Sequence, residues 1–189
     1  MSSQIMTAIF GGALLLLALW FAMAYNRLIV LGKRCDEAFA DVDVYMKQRH
    51  DLVPNLVESV KGIAGHERYV VDSITKARAA AIAATTEAMR QKAETMLGTA
   101  LTQIVAAAEN YPDIAASSHF MRLKDEIADC ENKISAARRY LNMAVREYNA
   151  TREQMPVNLV AGVAGMEARN FFDLGANRAA AETAPAVKF

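Results

Sequence analysis

The sequence predicts an all-α protein: an N-terminal transmembrane helix that continues into an antiparallel bundle of long helices, with a short fourth helix. Three observations predict it. From Ile5 to Tyr25 the run IMTAIFGGALLLLALWFAMAY carries no charged residue. Beyond it, apolar residues recur in alternating steps of three and four, the spacing of one packed face of a helix. Pro is scarce while Ala, Leu, Met and Glu are abundant, a composition of helix formers.

The apolar run comes first. About 20 helical residues at 1.5 Å each span roughly 30 Å, the thickness of a bilayer's hydrocarbon core. Trp20, Phe21 and Tyr25 gather at one end, where interfacial aromatics belong. A cleaved signal peptide is the rival reading, since Ala22-Met23-Ala24 is a small-x-small pattern. Against it, MSSQ offers no basic start, and the run is longer than the usual ~7–15 apolar residues of a signal. Arg27, Lys33 and Arg34 follow the run and no charge precedes it, so the positive-inside rule sets residues 1–4 outside and the rest in the cytoplasm. The expected organisation is a transmembrane helix over 5–25, a cytoplasmic helical domain over 26–174 and a disordered tail over 175–189. The expected location is the cell inner membrane.

The first soluble helix carries Leu28, Leu31, Cys35, Ala38, Val42, Tyr45, Leu52, Leu56, Val60 and Ile63 on one face. Nothing between Tyr25 and Arg27 breaks a helix, so one element from Ile5 to Ala64 would be about 90 Å long. Gly65 is expected to end it in a left-handed conformation, with Glu67 in the first turn of the next helix, where the dipole favours an anion. A second run carries Val70, Ile74, Ala77, Ala81, Ala84, Ala88, Met96, Leu101, Ile104 and Ala108, with a break considered at Thr85-Thr86, whose hydroxyls compete for backbone hydrogen bonds. Pro112 forces Tyr111 out of helical geometry, and Asp113, Ser117 and Ser118 are N-cap candidates. The third helix has the cleanest face: Phe120, Leu123, Ile127, Cys130, Ile134, Ala137, Leu141, Ala144 and Tyr148, flanked by charges such as Lys124, Glu131 and Arg138. Pro156 interrupts it, and the apolar VNLVAGVAG follows.

Composition excludes some functions. Lys+Arg and Asp+Glu balance at 21 each, which leaves no electrostatic footprint for nucleic acid. Cys35 and Cys130 stand alone on apolar faces and read as small buried hydrophobes in a reducing compartment. No phosphate loop, HExxH, GxSxG or paired-cysteine spacing occurs, so no cofactor, metal or catalytic residue is assigned. His50-Asp51 and His66-Glu67 each set an imidazole beside a carboxylate, yet on one helix the two histidines would lie about 24 Å and 160° apart. An exposed polar face is the expectation for both.

Two residues within MKQRHDLVPNLVESV have structural meaning. Arg49 falls on the heptad count from Leu28, so it either pairs inside the bundle, with Glu147 or the Tyr148 hydroxyl, or snorkels to water. Pro54 lacks an N–H and leaves the His50 carbonyl to water or a side-chain donor, with a kink expected.

Taken in order, YNRLIVLGKRCDEAFADVDVYMKQRHDLVPNLVESVKGIAGHE, ITKARAA, ENYPDI, ENKISAARRYLNMAVREYNATREQMPVNLVAGVAG and NFFDL resemble the LemA family of bacterial membrane-anchored helical proteins. The resemblance covers roughly Ala24 to Leu174. It implies one transmembrane helix with a short external N-terminus and a cytoplasmic antiparallel helical domain. It carries over no enzymatic activity, cofactor or catalytic residue, and points to membrane organisation as a theme.

Three functions compete. A non-enzymatic scaffold that self-associates on the lipid bilayer fits the single span and the helical faces. A sensor or adaptor would dock another membrane protein or client through an exposed helix face. An enzyme rests only on scattered His, Asp and Glu.

Overall fold

A computed structural model describes residues 2–63 and 68–172, and among these all regular structure is helical. Gly65, His66, Glu67 and the tail over 175–189 lie outside the described residues. The helices are α1 (Ser2–Ser59), a 3-10 turn (Lys61–Ile63), α2 (Arg68–Ala83), α3 (Glu87–Glu109), α4 (Pro112–Ala115), α5 (Ser118–Glu153) and α6 (Val157–Val163). They form two compact units: Met1–Asp41 with Ala137–Phe172, and Val42–Ala136.

In the first unit, α1 enters with its apolar run unburied: Ile5, Phe10, Leu16 and Leu19 are all more than half exposed. This is the one described helix long and apolar enough to cross a membrane. Burial begins at Ala24 and Leu28 and continues through Leu31, Cys35 and Ala38. The other face of this unit is α5 from Ala137, where Leu141, Ala144, Val145 and Tyr148 are buried. The two helices are antiparallel: Arg34 pairs with Glu147 at 3.0 Å, and a Cβ on Gly32 would lie 3.7 Å from the Tyr148 ring. Residues after α6 run back along α5. The Tyr148 hydroxyl donates to the Glu167 carbonyl at 3.1 Å, the Asn149 amide exchanges two bonds with Arg169, and the Asn142 amide exchanges two with Phe172. Arg169 completes this strap by pairing with Asp36 at 2.5 Å.

The second unit holds a core built from the end of α1, from α2 and α3, and from the start of α5. Val53, Leu56 and Val60 meet Ile74, Ala77, Leu97, Leu101, Ile104, Phe120, Leu123 and Ile127 there. Each fully buried Leu, Ile or Phe contributes about 1.5–3 kcal/mol relative to exposure. Small residues on α2 and α3 (Ala77, Ala81, Ala93, Ala100) let these two helices pack closely.

All nine positions of the predicted α5 face are buried. On α1 the face is offset. Every seventh residue from Leu28 to Leu56 is buried, but the intervening positions shift from three to four residues later, so Met46 and Val53 replace Tyr45 and Leu52. A 3.6-residue helix drifts about 20° per heptad, and the stripe follows that drift.

The second apolar run is two helices. Thr86 is the N-cap of α3, its hydroxyl accepting the Met89 N–H at 3.2 Å, with Glu87 in the first turn. The break resets the phase, so Ala88 and Met96 are exposed and Ala93, Leu97 and Ala100 take their place. Tyr111 is extended at φ −122, ψ 90, and Pro112 opens α4 at its first position. Asp113 lies in the first turn of α4 instead of capping it, because Tyr111 holds the cap position. Ser117 stands just before α5, its carbonyl accepting the Met121 N–H at 3.0 Å. Pro156 holds the cap position of α6, after a cis Met155–Pro156 peptide. Cys35 and Cys130 are free and buried, and burial pushes both thiols up from their ordinary value.

Candidate functional site

The polar side chains that the second unit buries converge on Arg49. It lies on the core face of α1 and is 3% exposed. One guanidinium nitrogen donates to Glu94 on α3 and another to Glu131 on α5, so the fork ties three helices together. Glu94 is 4% exposed, and its second oxygen lies 2.8 Å from His50 Nε2. Glu131 is the open side of the cluster, with its side chain 40% exposed.

The partners expected of Arg49 were Glu147 or the Tyr148 hydroxyl. It takes Glu94 and Glu131 instead, while Glu147 pairs with Arg34 and the Tyr148 hydroxyl donates to Glu167. His50 is likewise not on an exposed face: its side chain is 12% exposed and engaged with Glu94. His119 is exposed, with Nδ1 3.3 Å from the Arg122 guanidinium.

Electrostatics decide what the cluster can do. Burial alone would raise the Glu94 carboxyl, but the His50 bond and the Arg49 charge outweigh it, and the group is held below its ordinary range. Both Glu94 oxygens are occupied by cation or imidazole donors, which makes a poor general base at neutral pH. A neighbouring cleft of about 360 Å³ is lined by His50, Glu94, Asp43, Arg90, Lys47 and Asp51. Its charges are matched internally: Arg90 to Asp43 at 2.7 Å and Lys47 to Asp51 at 2.6 Å. Among the described residues, no group of three or more His, Cys, Asp and Glu side chains is placed to hold a metal ion. What the arrangement does is cross-link α1, α3 and α5 through one buried fork.

Pro54 lies inside α1, which continues to Ser59 without a restart. The carbonyl it leaves unbonded, that of His50, accepts the Arg78 Nε–H from α2 at 2.7 Å. Arg78→Ala is therefore expected to cost about 1–3 kcal/mol, the penalty of leaving a part-buried acceptor without its charged donor. With Pro54→Ala in place, the restored N–H at position 54 takes over that carbonyl. Arg78→Ala should then be close to neutral in a denaturation cycle. Equal costs in both backgrounds would show that Arg78 does not offset Pro54.

An exposed apolar helix of membrane-spanning length joined to an all-helical body defines a class: helical proteins with one candidate membrane span. The LemA family model matches residues 38–189, and the chain belongs to that family. It is also similar to magnetosome protein MamQ of Magnetospirillum gryphiswaldense, with 20% identity over 195 residues, covering 89% of this chain and 72% of the relative.

Proposed function

We propose that this chain is a non-enzymatic, membrane-anchored helical scaffold of the bacterial inner membrane, and that it self-associates. The N-terminus lies outside and the helical body lies in the cytoplasm, following the Arg27, Lys33 and Arg34 flank. One observation carries the reading. Within the first unit, a helix exposed all round through its apolar run passes without a break into a buried packing face. Such a helix finds its missing partner in lipid.

Self-association is supported by apolar side chains left in solvent on the second unit. Tyr69 and Ile82 on α2 and Met89 and Met96 on α3 are all more than half exposed. Anchoring in two dimensions raises their effective concentration, so weak contacts suffice. Crosslinking in native membranes is expected to trap multiples of the chain, and Ile82→Glu with Met96→Glu to abolish them. Single chains only, in membranes and at every concentration in detergent, would sink the scaffold reading. Recovery of one stoichiometric foreign membrane protein would favour an adaptor instead.

A further inference from the structure

We propose that α6 and the turns flanking it form a second membrane contact, a seat that lies in the headgroup and acyl-chain boundary beside the spanning helix. The proposal rests on the anchoring reading above and goes beyond it by assigning a part of the helical body to lipid.

The placement follows from contacts inside the first unit. Since α1 and α5 are antiparallel, with Gly32 against Tyr148 and Arg34 on Glu147, the end of α5 at Glu153 points toward the apolar end of α1. The chain turns there. Gly165, at φ +63, closes α6 with bonds from its own N–H to Gly162 and from the Met166 N–H to Ala161, at 3.3 and 3.0 Å. The strap after it returns up α5, with the Met166 carbonyl accepting from Arg152 at 2.7 Å. α6 therefore caps the membrane-facing end of this unit. Its inner side is buried through Val160 and Ala161, and at this end of α1 Ala24 is buried as well.

The outer side of the cap has the composition of a lipid seat. Met155 to Met166 contains no charged residue. Met155 and Val163 are each 80% exposed and Leu159 is 62% exposed. Large apolar side chains on a charge-free cap, at the same end of the unit as an unburied apolar helix, match the interfacial boundary, where such faces sit about 5–10 Å deep. Glu153 and Glu167 bracket the cap and would mark the edge of water.

Trp20 is the chain's one tryptophan, so fluorescence quenching tests the seat directly. The full chain is reconstituted in phosphatidylcholine–phosphatidylglycerol vesicles, with and without lipids brominated near the headgroup end of the acyl chains. In the parent chain Trp20 should be quenched. In a Trp20→Phe background, Leu159→Trp and Val163→Trp should lose as large a share of their emission as Trp20 does. Tyr140→Trp, on α5 and about 20 Å from its end, should lose none. Unquenched tryptophans at both 159 and 163, with Trp20 quenched, overturn the seat and leave the anchor standing. Quenching at 140 as strong as at 159 overturns it too, since contact would not be confined to the cap. An unquenched Trp20 overturns the anchor and the seat together.

Discussion

Arg49→Met is expected to lower the stability of the helical body by about 3–5 kcal/mol, the range for removing one partner from a buried ion pair. The cost falls on Glu94. At 4% exposure it cannot turn to water, and without Arg49 only the His50 imidazole remains to hold its charge. Glu131, with a side chain 40% exposed, is solvated and adds little. The diagnostic is the double variant. Arg49→Met with Glu94→Leu replaces the pair by apolar groups of similar size, a change that in other proteins is neutral or stabilising by about 1–4 kcal/mol. Thermal or urea denaturation followed by circular dichroism should therefore show a large loss for the single variant and recovery for the double. If Arg49→Met alone stays within about 1 kcal/mol of the parent, the residue behaves as a snorkelling surface arginine and the lock does not exist.

Acid should release the same lock. The Glu94 carboxyl in the folded chain lies below its ordinary value of 4.5, because the His50 bond and the Arg49 charge outweigh the upward push of burial. A carboxyl depressed in the folded state contributes its full stability above the unfolded value and loses it as pH falls through the folded value. Stability should thus be steady with respect to Glu94 at pH above about 4.5 and decline below it. Once protonated, Glu94 leaves Arg49 with Glu131 as its remaining carboxylate. Glu94→Gln should start lower at neutral pH and show a shallower acid decline. Parallel profiles for the parent and Glu94→Gln would assign the decline to other carboxyls.

How much of this was legible depends on what kind of information each feature needs. The α5 face could be read position by position because one uninterrupted helix keeps one phase from Phe120 to Tyr148. The membrane-length helix was legible from composition alone. The second run was legible in part: a break at Thr85-Thr86 could be read from the two hydroxyls, but Ala88 and Met96 were counted through it on the old phase, and the helix restarts there. Counting back from Ile104, Leu101 and Leu97 on the restarted phase reaches Glu94, so a carboxylate on the packing face was visible once the break was placed. Arg49 was legible as a charge on a seam, but its partners were not. Which carboxylate meets it depends on the register between helices, which spacing within one helix does not encode. Glu131 looked like a flanking charge for that reason. His50 looked exposed because a two-helix seam buries a narrow arc, whereas α1 here packs against α2, α3 and α5 and buries a wider one. The donor to the His50 carbonyl was foreseeable as a need created by Pro54, but not as Arg78.

In the proposed scaffold the first helix remains in the protein and holds the helical body to a bilayer. Alkaline carbonate extraction of membranes containing the full chain tests it most directly, with the recovered chain sized by mass spectrometry. The chain is expected in the membrane pellet with its apolar run intact. Release into the supernatant, or recovery of a chain cut after Ala24, would contradict it.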